Sequence, residues 1–261
     1  GDLMGDAGAN GDGSGTWSGI RMSYNGAFSG GPTLTAYTYA PGSNANGYKQ
    51  VNAAAFSLSA GVWNYCVMTY DGNNLQLFVN GVLQTNVTAA MATNYWSPLT
   101  FGTGRWDKGT TRGYTGLLDE AAIYTNVLSS DQISNHYLAA ITSGSNYVQA
   151  ILSDNPLLYY RMDNVYTNPS PATYPTAVNY GSAPVDAAYE PGIVPGGVIG
   201  PEVLGNSAMA APINGVYSCV DAGFDPAFNP TGNQPFTAMT WFRTYHADDK
   251  IPPLLGQGKI G

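Results

Sequence analysis

The chain has 261 residues, of which 44% are hydrophobic and 12% aromatic, so it can bury a substantial core and is not an intrinsically disordered segment. Charged residues make up only 10%, with nine Lys and Arg against 17 Asp and Glu, for a net charge of −8. The basic residues are scattered singly, which argues against a nucleic-acid partner, and no apolar run of about 18 residues is available for membrane insertion.

The N-terminal region reads as a loop followed by a series of strands. Residues 1–15 are rich in Gly, Asp and Asn and predict a long loop. Apolar and aromatic residues then fall near every second position in 16–24, 32–40 and 48–58, with Gly-rich turns between them. This spacing predicts half-buried antiparallel strands.

The strongest pattern lies in residues 62–87. Three strand-like runs are joined by the turn sequences DGNN and NG, which readily adopt the positive φ angles of tight hairpins. The pattern therefore predicts three consecutive antiparallel strands, and two more strands are predicted at 97–104 and 116–124.

A helix is predicted over residues 128–141. Ser129 can cap its N-terminus, with Gln132 three positions further on, and apolar residues recur along one side. The following segment, 142–155, predicts a linker or a second short helix.

The C-terminal part returns to a strand pattern. A strand is predicted at 157–164, and the Pro-, Gly- and Ala-rich segment 165–215 predicts long loops with short edge strands. Strands are predicted again at 216–224 and 235–245.

Three ordered motifs resemble one family. The run VWNYCVMTYDGNNLQLFVNGVLQ (62–84) is similar to the laminin G-like signature, in which a Trp opens a strand ending in Thr-Tyr-Asp-Gly. GLLDEAAIY (116–124) and LSSDQISNHY (128–137) are similar to the strand and helix that follow in that family. The resemblance implies an all-β, two-sheet antiparallel sandwich of the jelly-roll, concanavalin A-like type with one or two short helices.

The order of the motifs differs from that of the family. Segment 154–164 resembles the family's first strand, 179–192 its opening loop and 235–244 a strand that also comes early in the family, although all three follow the later elements here. We therefore interpret 1–141 as the C-terminal portion of a laminin G-like sandwich and 156–261 as an N-terminal portion, joined by 142–155. The two portions can form a permuted domain, parts of tandem copies in an excerpt of a longer protein, or halves completed by neighbouring chains.

Catalysis is not expected. Laminarinase-type hydrolases on such sandwiches need two carboxyls about 5–5.5 Å apart, carried on alternate strand residues. Asp119 and Glu120 are adjacent, so on a regular strand they would point to opposite faces. The resemblance makes this pair a structural signature rather than a catalytic one, and His136 is explained by packing.

Calcium is the cofactor that the resemblance suggests, since related sandwiches hold it at a loop rim. The Gly-rich N-terminal loop offers hard oxygen ligands, although a solvated Gly/Asp turn is the favoured explanation of its composition. The candidate ligands are Asp2, Asp6, Asn10 and Asp12.

Glycan binding would require exposed aromatic faces beside polar side chains. The loop-rich segment 94–109 supplies the candidate set of Trp96, Arg105, Trp106 and Asp107, although core packing is an alternative for the tryptophans.

Two further features concern covalent chemistry. Cys66 and Cys219 can form one disulfide or remain buried thiols. Asn86 lies in an Asn-Val-Thr sequon and is a candidate glycosylation site.

These observations favour a non-catalytic extracellular or cell-surface module that acts in adhesion, glycan recognition or assembly within a large repetitive protein. Its expected partners are neighbouring copies of itself, tandem domains or glycans. The alternatives are a purely structural, self-assembling filament or surface-layer subunit and, more remotely, a glycoside hydrolase.

Overall fold

The structure is a computed structural model. It describes residues 2–6, 8–9, 16–25, 33–44, 46–53, 58, 61–94, 97–103, 114–142, 144–163, 176–190, 211–214, 219–228 and 232–244. Two antiparallel sheets face each other, and two helices cover the outer face of one of them.

The first sheet has eight strands in the order β13-β14-β16-β10-β1-β4-β5-β6. In chain order these strands are β1 (Asp2–Gly5), β4 (Ile20–Asn25), β5 (Thr33–Tyr39), β6 (Tyr48–Asn52), β10 (Leu99–Phe101), β13 (Thr176–Ala177), β14 (Ala187–Tyr189) and β16 (Val220–Gly223). A separate two-stranded ladder is formed by β2 (Gly8–Ala9) and β3 (Trp17–Ser18).

The second sheet has seven strands, six of them in the order β12-β11-β17-β7-β8-β9. They are β7 (Asn64–Tyr70), β8 (Asn74–Val79), β9 (Val82–Thr88), β11 (Thr115–Tyr124), β12 (Leu158–Tyr160) and β17 (Phe236–Thr244). The seventh strand, β15 (Ala211–Asn214), pairs with the first half of β11, whereas β12 pairs with its second half.

The predicted hairpins of residues 62–87 are confirmed. Asn80 and Gly81 both have positive φ, of 51° and 80°, as a two-residue hairpin turn of the primed type requires. At the preceding turn, Oδ1 of Asp71 accepts hydrogen bonds from the backbone N–H groups of Asn73 and Asn74 at 2.8 and 2.6 Å. Local turn chemistry therefore sets the register of β7, β8 and β9.

The predicted helix and its cap are also confirmed. Helix α1 spans Ser130–Thr142, and the Ser129 hydroxyl accepts a hydrogen bond from the Gln132 N–H, while Gln132 Oε1 accepts one from the Ser129 N–H. This reciprocal pair is a capping box. Helix α2 spans Gly144–Ser153, within the segment predicted to be a linker or short helix. None of the described helices is long and apolar enough to cross a bilayer.

The core has two parts. The larger one lies between the sheets and contains alternate residues of nearly every strand, including Met22, Leu77 and Phe242. The smaller one lies between the seven-stranded sheet and the helices and is built around Tyr65 and Trp241. This arrangement confirms the expected two-sheet antiparallel β-sandwich with two short helices.

Strand β17, from the C-terminal portion of the chain, lies between two strands of the N-terminal portion. It lies in the middle of its sheet, paired with β7 from Phe236↔Tyr70 to Phe242↔Asn64 on one side and with β11 on the other. Strands from 1–141 and from 156–261 therefore share both sheets within this one chain.

Candidate functional site

The rim where β1 ends and β10 begins is held by a buried polar junction. Oδ1 of Asp6 accepts a hydrogen bond from the Ile20 N–H at 2.7 Å, and Oδ2 accepts one from the Asn94 amide at 2.8 Å. The Asn94 side chain also donates to the Ser97 carbonyl and accepts from the Ser97 N–H. We call Asp6, Asn94 and Ser97 the rim junction. It ties Asn94 to Ser97, the residue that follows Trp96 in sequence.

Burial dominates the electrostatics of the junction. Asp6 is fully buried, and loss of solvent raises its pKa from 3.8 to about 6, while the hydrogen bonds from Ile20 and Asn94 oppose that rise. Both carboxyl oxygens already accept hydrogen bonds, so Asp6 acts as a structural acceptor at this rim.

The candidate calcium ligands are only partly within the described residues. Asp2 begins β1, where its backbone pairs with Ser23, but its side chain is outside the described part, as are Asn10 and Asp12. Within the described part of the chain, no group of three His, Cys, Asp or Glu side chains is arranged to hold a metal ion. Calcium binding by this loop stays a prediction.

The candidate ligand-binding set Trp96, Arg105, Trp106 and Asp107 lies outside the described residues. The described residues that flank it lie at opposite ends of β10. Ser97 belongs to the rim junction, whereas Gly102 donates from its N–H to the Leu3 carbonyl near the start of β1. Glycan binding by these four residues stays a prediction.

Polar and aromatic side chains lie on the outer face of the eight-stranded sheet, buried along β4 and β5 and exposed along the edge strand β6. We define the tyrosine face as Arg21, Tyr37, Tyr39, Tyr48 and Gln50, which are cross-strand partners along β4, β5 and β6. Alternate residues of these strands point into the core between the sheets, so these five point outward. The guanidinium carbon of Arg21 lies 4.4 Å from the Tyr37 ring centroid, and this cation–π contact holds both side chains in place.

Tyr48 and Gln50 are the exposed members of the tyrosine face, whereas Arg21, Tyr37 and Tyr39 are buried. Tyr48 is 39% exposed, and its ring packs edge-to-face against Tyr37 at 5.2 Å and against Tyr39 at 6.1 Å. The sequence carried a signal for this surface, because Tyr37 and Tyr39 are two residues apart, as are Tyr48 and Gln50, and such pairs share a strand face. Sequence reasoning did not single these residues out, because core packing explains most strand aromatics equally well.

The adjacent acids Asp119 and Glu120 do not point to opposite faces, so that expectation is wrong. A bulge shifts the register of β11 between Asp119 and Ala122, and Glu120 adopts a φ of 51°. Glu120 accepts hydrogen bonds from the Tyr159 hydroxyl and from Nε of Arg161, while Asp119 Oδ1 accepts one from the Glu120 N–H. Both carboxyls therefore share the surroundings of Arg161.

The carboxyls of this bulge are fully buried. Loss of solvent raises the pKa of Glu120 to about 7, although Arg161 and Tyr159 oppose the rise, and it raises the pKa of Asp119 as well, with Glu120 adding to the effect. Oδ2 of Asp119 has no hydrogen-bond partner among the described residues. A protonated Asp119 reduces the cost of burying that oxygen.

His136 joins the two helices, as the packing interpretation expects. Its Nε2 lies 2.7 Å from Oδ2 of Asp154, and its ring stacks on Tyr124. Burial lowers the pKa of His136 despite the opposing effect of Asp154. The pair links α1 to the residue that follows α2.

The cysteines are buried thiols, so the candidate disulfide is not formed. Cys66 lies in β7 and directs its Sγ toward the Thr240 carbonyl at 3.2 Å, whereas Cys219 precedes β16 in the other sheet. Facing sheets lie about 10 Å apart, beyond the 4.4–6.8 Å Cα separation of disulfides. Asn86 is exposed on the edge strand β9, where a sequon is accessible, and its glycosylation stays a prediction.

Comparison with known proteins assigns the sandwich to a family. The model described as "Concanavalin A-like lectin/glucanases superfamily" matches residues 5–134. No curated protein and no solved structure matches the chain. Laminin G-like domains of this superfamily are in general carbohydrate-binding or adhesion-type modules without catalysis, and the superfamily also contains glycosidases. Residues 5–134, about half of the chain, belong to the concanavalin A-like lectin/glucanases superfamily in its laminin G form.

Proposed function

We propose that this protein is a non-catalytic extracellular module that recognises glycans through the outer face of its eight-stranded sheet. The observation that carries the proposal is the tyrosine face, where the exposed ring of Tyr48 lies beside the amide of Gln50. The C–H groups of a sugar ring can pack on an aromatic face, while an amide both donates and accepts hydrogen bonds with its hydroxyls.

The distribution of helices supports this choice of face. Helices α1 and α2 cover the outer side of the seven-stranded sheet, so the corresponding surface of that sheet is already buried. The described residues on the outer side of β6 are instead exposed, including Gln50 and Asn52. A ligand therefore has access to this face at the edge strand β6.

Local charge also suits recognition rather than hydrolysis. The acids whose pKa values burial raises, Asp119 and Glu120, are fully enclosed and lie on the helix-covered side of the other sheet. The tyrosine face itself contains one cation, Arg21, and no carboxyl group. A retaining glycosidase would need two accessible carboxyls beside the sugar.

A glycan array tests the proposal, followed by titration of any glycan that binds. Tyr48→Ala should weaken binding by about tenfold or more because it removes the exposed ring. The matched control is Tyr180→Ala, since Tyr180 is another exposed tyrosine, at 44%, near the opposite end of the sheet. Absence of binding to any glycan, or equal affinity of both variants, would contradict the proposal.

A surface location follows from the same proposal. Charged residues make up only 10% of the chain, and the sequon at Asn86 is exposed. Both features suit an exported protein. Labelling intact cells with an antibody against the folded domain should detect it without permeabilisation. Labelling seen only after permeabilisation would place the protein inside the cell.

Self-assembly is the second candidate function. Val82 begins the edge strand β9 and is 62% exposed, while Leu138 and Ile141 on α1 are 47% and 41% exposed. Exposed edges and apolar side chains favour contact with another copy. Electron microscopy of the purified protein should show ordered filaments or layers if this function operates, and uniform monomers would exclude it.

A further inference from the structure

A cavity opens at the end of the sandwich, next to the tyrosine face. Its volume is about 310 Å³, and its walls include Pro41 and Gly42 from the turn after β5, Ala92 and Thr93 from the segment after β9, and Asn233 from the turn before β17. Because Ala92 donates from its N–H to the Tyr39 carbonyl at 2.6 Å, the cavity adjoins the hairpin that carries Tyr39 and Tyr48. We call it the rim cavity.

Asn233 is held in one orientation by its acceptor atom. Oδ1 of Asn233 lies 2.9 Å from the Tyr70 hydroxyl and accepts a hydrogen bond from the Met91 N–H at 3.1 Å. The Tyr70 hydroxyl is also 2.9 Å from the Ala89 carbonyl, so its single proton is shared between two acceptors. With Oδ1 committed to these donors, Nδ2 of Asn233 makes no hydrogen bond within the described residues, and because Asn233 is exposed this nitrogen is available to a ligand.

The lining suits a sugar ring. Pro41 and Ala92 present apolar surface for ring C–H groups, while Asn233 Nδ2 supplies two donors and the Thr93 hydroxyl can donate or accept. None of the described lining residues carries a charge. The volume is at the low end of the roughly 300–1,000 Å³ of small-molecule sites, which favours one terminal ring over an extended chain.

We propose that the rim cavity binds the terminal, uncharged sugar of the glycan recognised by this protein. This inference rests on the proposed glycan recognition and adds a subsite to it. The terminal sugar enters the rim cavity and is oriented by Asn233, while the sugars that follow pack against Tyr48.

Two variants of the full chain test the subsite, and each changes a different contact with the sugar. Asn233→Asp keeps an oxygen to accept from Tyr70 and Met91 but removes both Nδ2 donors. Thr93→Phe fills the rim cavity instead. Asn86→Asp is the matched control, because it makes the same amide-to-acid change at an exposed position on β9.

The measurement is titration of the folded variants with the neutral oligosaccharide that the wild-type protein binds best on an array. Asn233→Asp and Thr93→Phe should each lose about tenfold or more in affinity, with Asn86→Asp within twofold of wild type. If Tyr48→Ala loses binding while both cavity variants retain it, glycan recognition stands and the rim cavity is not a subsite. If the wild-type protein binds no neutral glycan, the subsite is excluded, and binding of no glycan at all excludes the proposed function as well.

Discussion

The amide nitrogen of Asn94 lies 2.8 Å from Oδ2 of Asp6, and this hydrogen bond joins positions 88 residues apart in the chain. Asn94 also closes a turn onto Ser97. One buried amide therefore connects Asp6, directly after β1, to Ser97, shortly before β10, and these residues belong to the two segments chosen from sequence as calcium and glycan candidates.

Asn94→Ala should destabilise the protein. It leaves Oδ2 of the buried Asp6 without its donor and removes the bonds to Ser97, so the free energy of unfolding should fall by about 1–3 kcal/mol. Urea denaturation measures the change. The control is Asn73→Ala, at an exposed turn position, which should cost less than about 0.5 kcal/mol. Equal losses in the two variants would contradict the structural role of Asn94.

Gly19 and Gly42 provide a matched test of crowding at the rim junction. Both have positive φ, of 90° and 76°, so alanine at either position carries backbone strain. At Gly19 the added Cβ would also lie 2.5 Å from Oδ1 of Asp6, whereas at Gly42 it meets no atom within 4 Å. Gly42→Ala should cost about 1 kcal/mol and Gly19→Ala about 3 kcal/mol or more, as measured by thermal unfolding. A smaller cost at Gly19 than at Gly42 would show that Asp6 is placed elsewhere.

Stability should depend on pH through Glu120. Its pKa of about 7 in the folded state exceeds the ordinary 4.5, so between these values the folded state retains a proton that the unfolded state has lost. The protonated carboxyl of Glu120 therefore stabilises the folded state fully below about pH 4.5, and this stabilisation is lost as pH rises through 7. The free energy of unfolding should change by roughly 3 kcal/mol at most across this range.

Glu120→Gln isolates that effect. Asp119, Asp163, Arg161, Tyr159 and Tyr147 surround the carboxyl and remain in the variant. As pH rises from 5 to 8, the unfolding free energy of the wild-type protein should fall relative to that of the variant. Parallel curves would mean that Glu120 is ionised throughout this range.

The central position of β17 predicts that the first part of the chain does not fold alone. A fragment of residues 1–143 lacks the strand that pairs with both β7 and β11, so it should show no cooperative unfolding transition. Adding a separate fragment of residues 144–261 should restore one, together with the near-UV circular dichroism of the intact chain. A cooperative transition in the first fragment alone would indicate a different partner for β7.

Local patterns predicted the parts of the fold that depend on neighbouring residues. The Asn80-Gly81 turn and the capping box of Ser129 and Gln132 both follow from short-range chemistry, and both are present. The resemblance to laminin G-like domains likewise led to the correct sandwich.

Features that depend on distant contacts were not predictable in the same way. The bulge at Glu120 breaks the two-residue alternation on which strand faces are assigned, and Tyr159 and Arg161, which accommodate it, lie about 40 residues away in sequence. No sequence motif marks Asn233 as a candidate, because its orientation depends on a hydrogen bond to the distant Tyr70. The candidate residues Trp96 and Trp106 lie outside the described residues and stay predictions.

The place of β17 also governs the timing of folding during synthesis. Cys66 and Thr240, which meet across β7 and β17, are 174 residues apart. At about 5–20 residues per second, a ribosome needs on the order of 10–35 s to supply the second residue after the first. During that interval the nascent β7 segment lacks the neighbour that satisfies one of its backbone edges, so the centre of this sheet can form only after β17 has been synthesised.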